Sequence, residues 1–210
     1  VNPQIVKTYA SGKIKTMYRL VFDNIRISFL LNWLVVLPLL FIMDDIFALW
    51  LVKVPDNAVL FSKIIMLRLL LTPYENPFNV VNGATGNNKV FGFMSGVFLN
   101  ITLPLCYILF LFERMPWMAF CIDFVVYFSM ILWKLIYLHR TAFLPYRKFF
   151  YRSLFPNIML MTIGLGITYF IWQLFAEKTL VVDVLIVIAS TFTTLFLGYH
   201  FSLDSQMRQV

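Results

Sequence analysis

From residue 27 onward the sequence is a train of apolar runs, and their length decides what the chain can fold into. Stretches near 27–43, 59–81, 90–112, 117–138, 154–175 and 180–199 are dense in Leu, Ile, Val and Phe and carry few charges. About twenty such residues in a helix cross the hydrocarbon core of a bilayer. Lipid offers no water to a backbone N–H or C=O, so each run is read as a helix that satisfies its own hydrogen bonds. Composition excludes the soluble alternative: 61% of the 210 residues are hydrophobic and 13% are charged, against about 25% charged in soluble domains. The fold class this predicts is an all-α integral membrane protein with six transmembrane helices.

Basic residues in the connections set the orientation. With the N-terminus in the cytoplasm, twelve of the 17 Lys and Arg lie on the inner side, Lys7, Lys13, Arg19, Lys89, Lys134, Arg147 and Arg152 among them. Lys53, Arg114 and Lys178 lie outside, and Lys63 and Arg68 fall within the second span. Asp44, Asp45, Asp56, Glu113 and Glu177 gather on the outer side. Both termini are therefore expected in the cytoplasm. The same bias accounts for the net charge of +7 without a nucleic-acid partner. Cys106 and Cys121 sit in apolar runs with neither CxxC spacing nor an adjacent His, which makes them packing residues.

Two basic stretches read as interfacial. In 13–26, Ile14, Met17, Tyr18, Val21 and Ile25 recur at helical spacing among Lys13, Lys15, Arg19 and Arg26. A basic amphipathic helix of this kind lies among headgroups and is drawn to anionic lipids. Residues 139–153 repeat the pattern, with Phe143, Leu144, Phe149 and Phe150 among Arg140, Arg147, Lys148 and Arg152. Both stretches also fit ordinary cytoplasmic linkers.

The second span is the chemically unusual one. Lys63, Arg68 and Glu75 fall inside a single crossing, and ionisable groups at membrane depth usually face a cavity or a partner. Arg68 and Glu75 are two helical turns apart, on one face of an unbroken helix, so a pair between them is one reading. Arg68 offering its planar fork to an anionic group is the other. Lys63 serves either such a group or the outer surface, to which it can snorkel. Pro73 and Pro77 interrupt the span before a polar end that begins at Asn79. Asp123, inside the fourth span, is a candidate partner for Arg68 or Lys63, or an ion-coupling carboxylate together with Glu75. Asn32 and Pro38 in the first span fit helix packing, and Asp44–Asp45 reads as a bare pair in a loop. The two histidines, His139 and His200, carry no metal-site spacing. There is no Gly-rich phosphate loop, no DDxxD and no GxSxG. No cofactor, metal or catalytic residue is therefore assigned.

The first twelve residues, VNPQIVKTYASG, form a polar, Lys-bearing start with no initiator Met and no signal peptide. They read as a connection between two spans. Residues 2–12 resemble the cytoplasmic connection of Wzx-type polysaccharide flippases, which belong to the multidrug/oligosaccharidyl-lipid/polysaccharide exporter superfamily. Further similarities follow in order: Leu37-Pro38-Leu39-Leu40, Ile46-Phe47-Ala48-Leu49-Trp50-Leu51, Val54-Pro55, Asn76-Pro77, and Ala84-Thr85-Gly86-Asn87-Asn88-Lys89. The resemblance is strongest over 2–89. It implies six spans of a two-lobed, MATE-like transporter and places them after an eighth span, so that an N-terminal lobe of the same transporter is missing. It further implies movement of undecaprenyl-diphosphate-linked oligosaccharide across the bacterial inner membrane by alternating access. On this reading the protein is a transporter and not an enzyme. Arg68, Lys63 and Asn79 are the cavity candidates, Asp123 and Glu75 the coupling candidates. Alternatives are a membrane enzyme acting on lipid-linked sugars and a small membrane partner or immunity-type subunit.

The expected layout runs from an inter-span segment (1–26) to four helices of the C-terminal lobe (27–138). A basic linker (139–153), two additional helices (154–200) and a cytoplasmic tail (201–210) complete it.

Overall fold

The computed structural model describes residues 2–86, 88–112, 115–175 and 179–202, and among them there are helices and connections but no strand. Glu113, Arg114, Glu177, Lys178, Asp204 and Arg208 lie outside the described residues. In chain order the helices are α1 (Asn2–Ala10), α2 (Ile14–Trp50), α3 (Ala58–Leu69), α4 (Thr72–Thr85), α5 (Asn88–Phe112), α6 (Trp117–Thr141), α7 (Tyr146–Phe149), α8 (Phe155–Leu174) and α9 (Leu180–Leu197). A π-helical turn, Phe150–Leu154, joins α7 to α8, and another, Gly198–Ser202, follows α9. Among the described residues, five segments are long and apolar enough to cross a membrane: α2, α5, α6, the run Tyr146–Leu174 and the run Leu180–His200.

The axis of the bundle is α2. Its 37 residues extend about 55 Å at 1.5 Å per residue, well beyond a hydrocarbon core of about 30 Å. The helix absorbs three pieces that the sequence reading separates: the basic stretch 13–26, the first span, and the apolar piece after Asp44–Asp45. Asp44 and Asp45 are therefore helical, not in a loop. Nor is the apolar face of 13–26 spread on lipid. Met17, Tyr18, Val21, Phe22 and Ile25 are buried against protein, and only Ile14 of that set is exposed. The opening segment is likewise a helix rather than an extended connection. α1 packs on α2 and α4 and buries Ile5. Gly12, at φ +72°, makes the turn between α1 and α2, a conformation that glycine adopts without a steric penalty.

The second span exists as two half-helices. α3 and α4 have 12 and 14 residues, about 18 and 21 Å, so neither crosses alone. The break falls at Leu70–Leu71, ahead of both prolines. Pro73 causes it: lacking an N–H, it cannot donate to the carbonyl of Leu69. That carbonyl is satisfied twice over by side chains. Thr72 Oγ1 donates to it at 2.8 Å and Asn32 Nδ2, reaching over from α2, at 3.3 Å. Asn32 thus has a definite task, which is to cap a carbonyl freed at the break. At the far end, α4 stops at Gly86, whose φ of +77° suits a left-handed C-cap.

α3 and α4 both pack on α2 and on α6, and α5 packs chiefly on α6. α8 and α9 pack on each other and on α2, and α8 also reaches α4, where Asn157 Nδ2 donates to the Tyr74 hydroxyl at 2.9 Å. The core follows α2: Met17, Val21, Ile25, Trp33 and Leu37 meet Phe78, Met130, Leu138 and Leu160.

Candidate functional site

Two features meet at the broken span. The first is a ladder of charges between the half-helices and α6. Above the break, Arg68 Nε stands 2.5 Å from Asp123 Oδ2. This ion pair joins α3 to α6. The guanidinium of Arg68 also lies over the Tyr127 ring, 4.2 Å from its centroid, a cation–π contact. The Tyr127 hydroxyl donates to Glu75 below the break. Glu75 Oε1 then accepts from Lys134 Nζ at 2.7 Å, and Lys134 donates to Asn79 Oδ1 at 3.0 Å. Phe91 of α5 covers the ammonium at 5.2 Å.

Several sequence expectations are corrected here. Arg68 and Glu75 do not pair, because the break at Leu70–Leu71 takes them off a common face; each finds its own partner on α6. Asp123 selects Arg68 and not Lys63. Lys63 is 2.8 Å from Asp44 Oδ2, an ion pair between α3 and α2 with both side chains partly in the open. Lys134 is not a loop charge on the inner side. It is 1% exposed and sits within α6, which continues to Thr141.

Tyr127 and Lys134 are the residues that sequence reading missed. A signal was present. Arg68 and Glu75 are separated by seven residues, and so are Tyr127 and Lys134. Asp123, Tyr127 and Lys134 fall at i, i+4 and i+11, one stripe of a helix.

The second feature is a cleft of about 660 Å³ between α2 and α4. Asn24, Ser28 and Asn32 recur every four residues on α2; Thr72, Asn76 and Asn79 recur at the same helical pitch on α4. Facing stripes of amides and hydroxyls therefore line it, with Pro73 and Pro77 at its back. Ser28 Oγ donates to Asn24 Oδ1 at 3.5 Å, and Asn32 Nδ2 to Thr72 Oγ1 at 3.3 Å. Asn76 and Asn79 are exposed. Lipid hydrocarbon is a poor neighbour for such groups, so this flank suits polar surroundings. Asn79 belongs to both features, since it accepts from Lys134 and lines the cleft. Arg68 and Lys63 are not among the residues lining it.

Among the described residues no three His, Cys, Asp or Glu side chains converge as a metal site. No family model, curated protein or solved structure matches the chain.

Proposed function

We propose that this protein is part of a flippase that carries lipid-linked oligosaccharide across the bacterial inner membrane, with both termini cytoplasmic. The observation that carries the reading is the discontinuous span α3–α4 beside a cleft lined by neutral amides and hydroxyls. Broken helices at membrane depth belong where backbone lines a cavity, and transporters use them to build central sites. Sugar hydroxyls both donate and accept, which is the chemistry that Asn, Ser and Thr return. The order of sequence resemblances over 2–89 supports the same reading, and with it the six-span, MATE-like arrangement in which α3 and α4 together count as one crossing.

In this scheme Asn24, Asn76 and Asn79 contact the glycan, and α2 with α4 forms one wall of the path. Arg68 and Lys63 are the cationic groups for the diphosphate. Each now holds a carboxylate, so a phosphate reaches Arg68 by exchanging with Asp123, and Lys63 by exchanging with Asp44. Asp123 and Glu75 are the carboxylates available for ion coupling. The other lobe of the transporter supplies the opposite wall.

The test is transport of a fluorescent undecaprenyl-diphosphate oligosaccharide in proteoliposomes by the two-lobed transporter that contains this chain, compared with the same transporter carrying Asn24→Leu/Asn76→Leu. Neither residue holds the ladder on α6, so folding should be preserved. Loss of two polar contacts of about 1 kcal/mol each should slow transport by at least about tenfold. Unchanged transport by a folded variant would remove the cleft from the path.

A further inference from the structure

The end of the bundle at which α2 begins carries a second pocket, separate from the cleft. It encloses about 280 Å³ between the first turns of α2 and the segment after α6. Lys15 and Arg19 line it from α2; Lys148 lines it from α7 and Arg152 from the π-helical turn that follows. The stretches 13–26 and 139–153, separate in sequence, thus share one cavity.

Four cations converge on this one pocket and repel each other across it. Asp23 is the one acid in residues 1–43, and 124–176 contain none. Asp23 stands 3.9 Å from Arg19 Nε. None of the described residues lining the pocket is a carboxylate. The arrangement is nevertheless held in place. The Tyr18 hydroxyl donates to the carbonyl of Ala142, and the Phe22 ring packs 6.0 Å from that of Phe149. These contacts tie the two basic segments together at their apolar sides.

The rim of the pocket is aromatic and points outward. Phe143 has φ +58°, a left-handed conformation unfavourable for a bulky residue, and is 77% exposed. Phe150 and Tyr151, which stand between Lys148 and Arg152 in the chain, are exposed as well. Aromatic rings at the level of basic residues mark the boundary between headgroups and acyl chains. A small soluble anion would have no use for that rim.

We propose that this pocket binds the phosphate of an anionic phospholipid headgroup, with an acyl chain lying along Phe143 and Phe150. The forks of Arg19 and Arg152 can each hold two phosphate oxygens, while Lys15 and Lys148 act as point charges. Asp23 opposes this by drawing on Arg19, which leaves Lys15, Lys148 and Arg152 as the stronger contributors. The site is independent of the glycan cleft and of the flippase reading.

Native mass spectrometry of the full chain released from detergent tests it, with phosphatidylglycerol and phosphatidylcholine offered in equal amounts. Phosphatidylglycerol should be retained in preference. Lys148→Gln/Arg152→Gln should weaken its binding about fivefold per cation removed, or about 25-fold together. Lys53→Gln, outside the pocket, should leave it unchanged, and circular dichroism checks that each variant keeps its helix content. Equal retention of the two lipids would overturn the proposal, as would undiminished phosphatidylglycerol binding by the folded double variant. Displacement of phosphatidylglycerol by equimolar inorganic phosphate would assign the pocket to a soluble anion instead. Preferential displacement by undecaprenyl diphosphate would assign it to an isoprenoid carrier lipid and likewise refute the phospholipid.

Discussion

Two groups of helices pack on α2, a flank of α3 and α4 joined to α6 and a flank of α8 and α9. The first flank is joined by charges and a broken backbone: Arg68 with Asp123, Lys134 with Glu75, and a freed carbonyl capped by Asn32. The second is joined by close approach of small and polar residues. A Cβ added at Gly164 would come 3.0 Å from Trp33 Nε1, and one at Gly198 would meet Leu30 at 2.4 Å. Thr168, Ser190 and Thr194 are fully buried there. Small residues let membrane helices approach closely, and a close-packed seam has one good arrangement. Ion pairs and half-helices have alternatives, since a cation can exchange partners and a broken helix can pivot. The difference teaches where motion belongs. If the protein moves a solute, α3 shifts against α2 and α6 more readily than α8 and α9 shift against α2, while the buried Asn157–Tyr74 hydrogen bond ties α4 to α8.

The largest expected effect tests the charged flank. Lys134 is buried and its ammonium serves both Glu75 and Asn79. Lys134→Met removes it and leaves a carboxylate without its cation, which destabilises by about 3–5 kcal/mol when such a pair is buried. Thermal unfolding in detergent should show this as a large fall in midpoint. Glu75→Gln/Lys134→Met removes both charges and should recover most of the loss. A double variant as unstable as the single would show that packing of the Lys134 stem, not its charge, joins α4 to α6.

The packed flank should respond less, and to volume in place of charge. Gly164→Leu forces a side chain against the fully buried Trp33 ring, and overpacking of this kind costs about 1–3 kcal/mol. The same unfolding assay reads it. A larger loss than that of Lys134→Met would reverse the comparison and make the α2–α8 seam the stronger determinant of stability.

Five of the six apolar runs, read by length alone, locate membrane-length helices, and the sixth, 59–81, is divided into α3 and α4. The two places where sequence reading fails have separate causes. Helix continuity is one. Nothing local stops α2 between Lys13 and Trp50: Pro38 is accommodated within it, so the apparent boundary at Arg26 is a change of surroundings and not of backbone. Pro73 does announce a break, but locating it at Leu70–Leu71 requires knowing that Asn32 and Thr72 receive the Leu69 carbonyl. Charge pairing is the other cause. Lys134 lies within the run 117–138 yet counts as an inner-side cation until its burial and its bonds to Glu75 and Asn79 are seen. Its partner, Glu75, comes from a half-helix whose direction is set only after the break. Asn79 illustrates the remainder: its polarity is plain in the sequence, its double role with Lys134 and the cleft is not.

The smallest effect is the most informative about why the charged flank behaves as it does. Lys63–Asp44 and Lys134–Glu75 are closed at nearly the same distance, 2.8 and 2.7 Å. They differ in surroundings: the side chains of Lys63 and Asp44 are 30% and 53% exposed, those of Lys134 and Glu75 2% and 21%. Solvent near the first pair screens it and hydrates either member if the other is lost, so exposed pairs contribute about 0–1 kcal/mol. Lys63→Gln should therefore shift the unfolding midpoint little, and what shift there is should shrink further in about 1 M salt, where charges are screened beyond roughly 3 Å. The Lys134 variant should keep most of its defect under the same salt, because ions do not reach a buried ammonium. A Lys63→Gln loss equal to that of Lys134→Met, and insensitive to salt, would mean that the α2–α3 contact is as dry as the α4–α6 contact, and the pivot would then have to lie at the Leu70–Leu71 break alone.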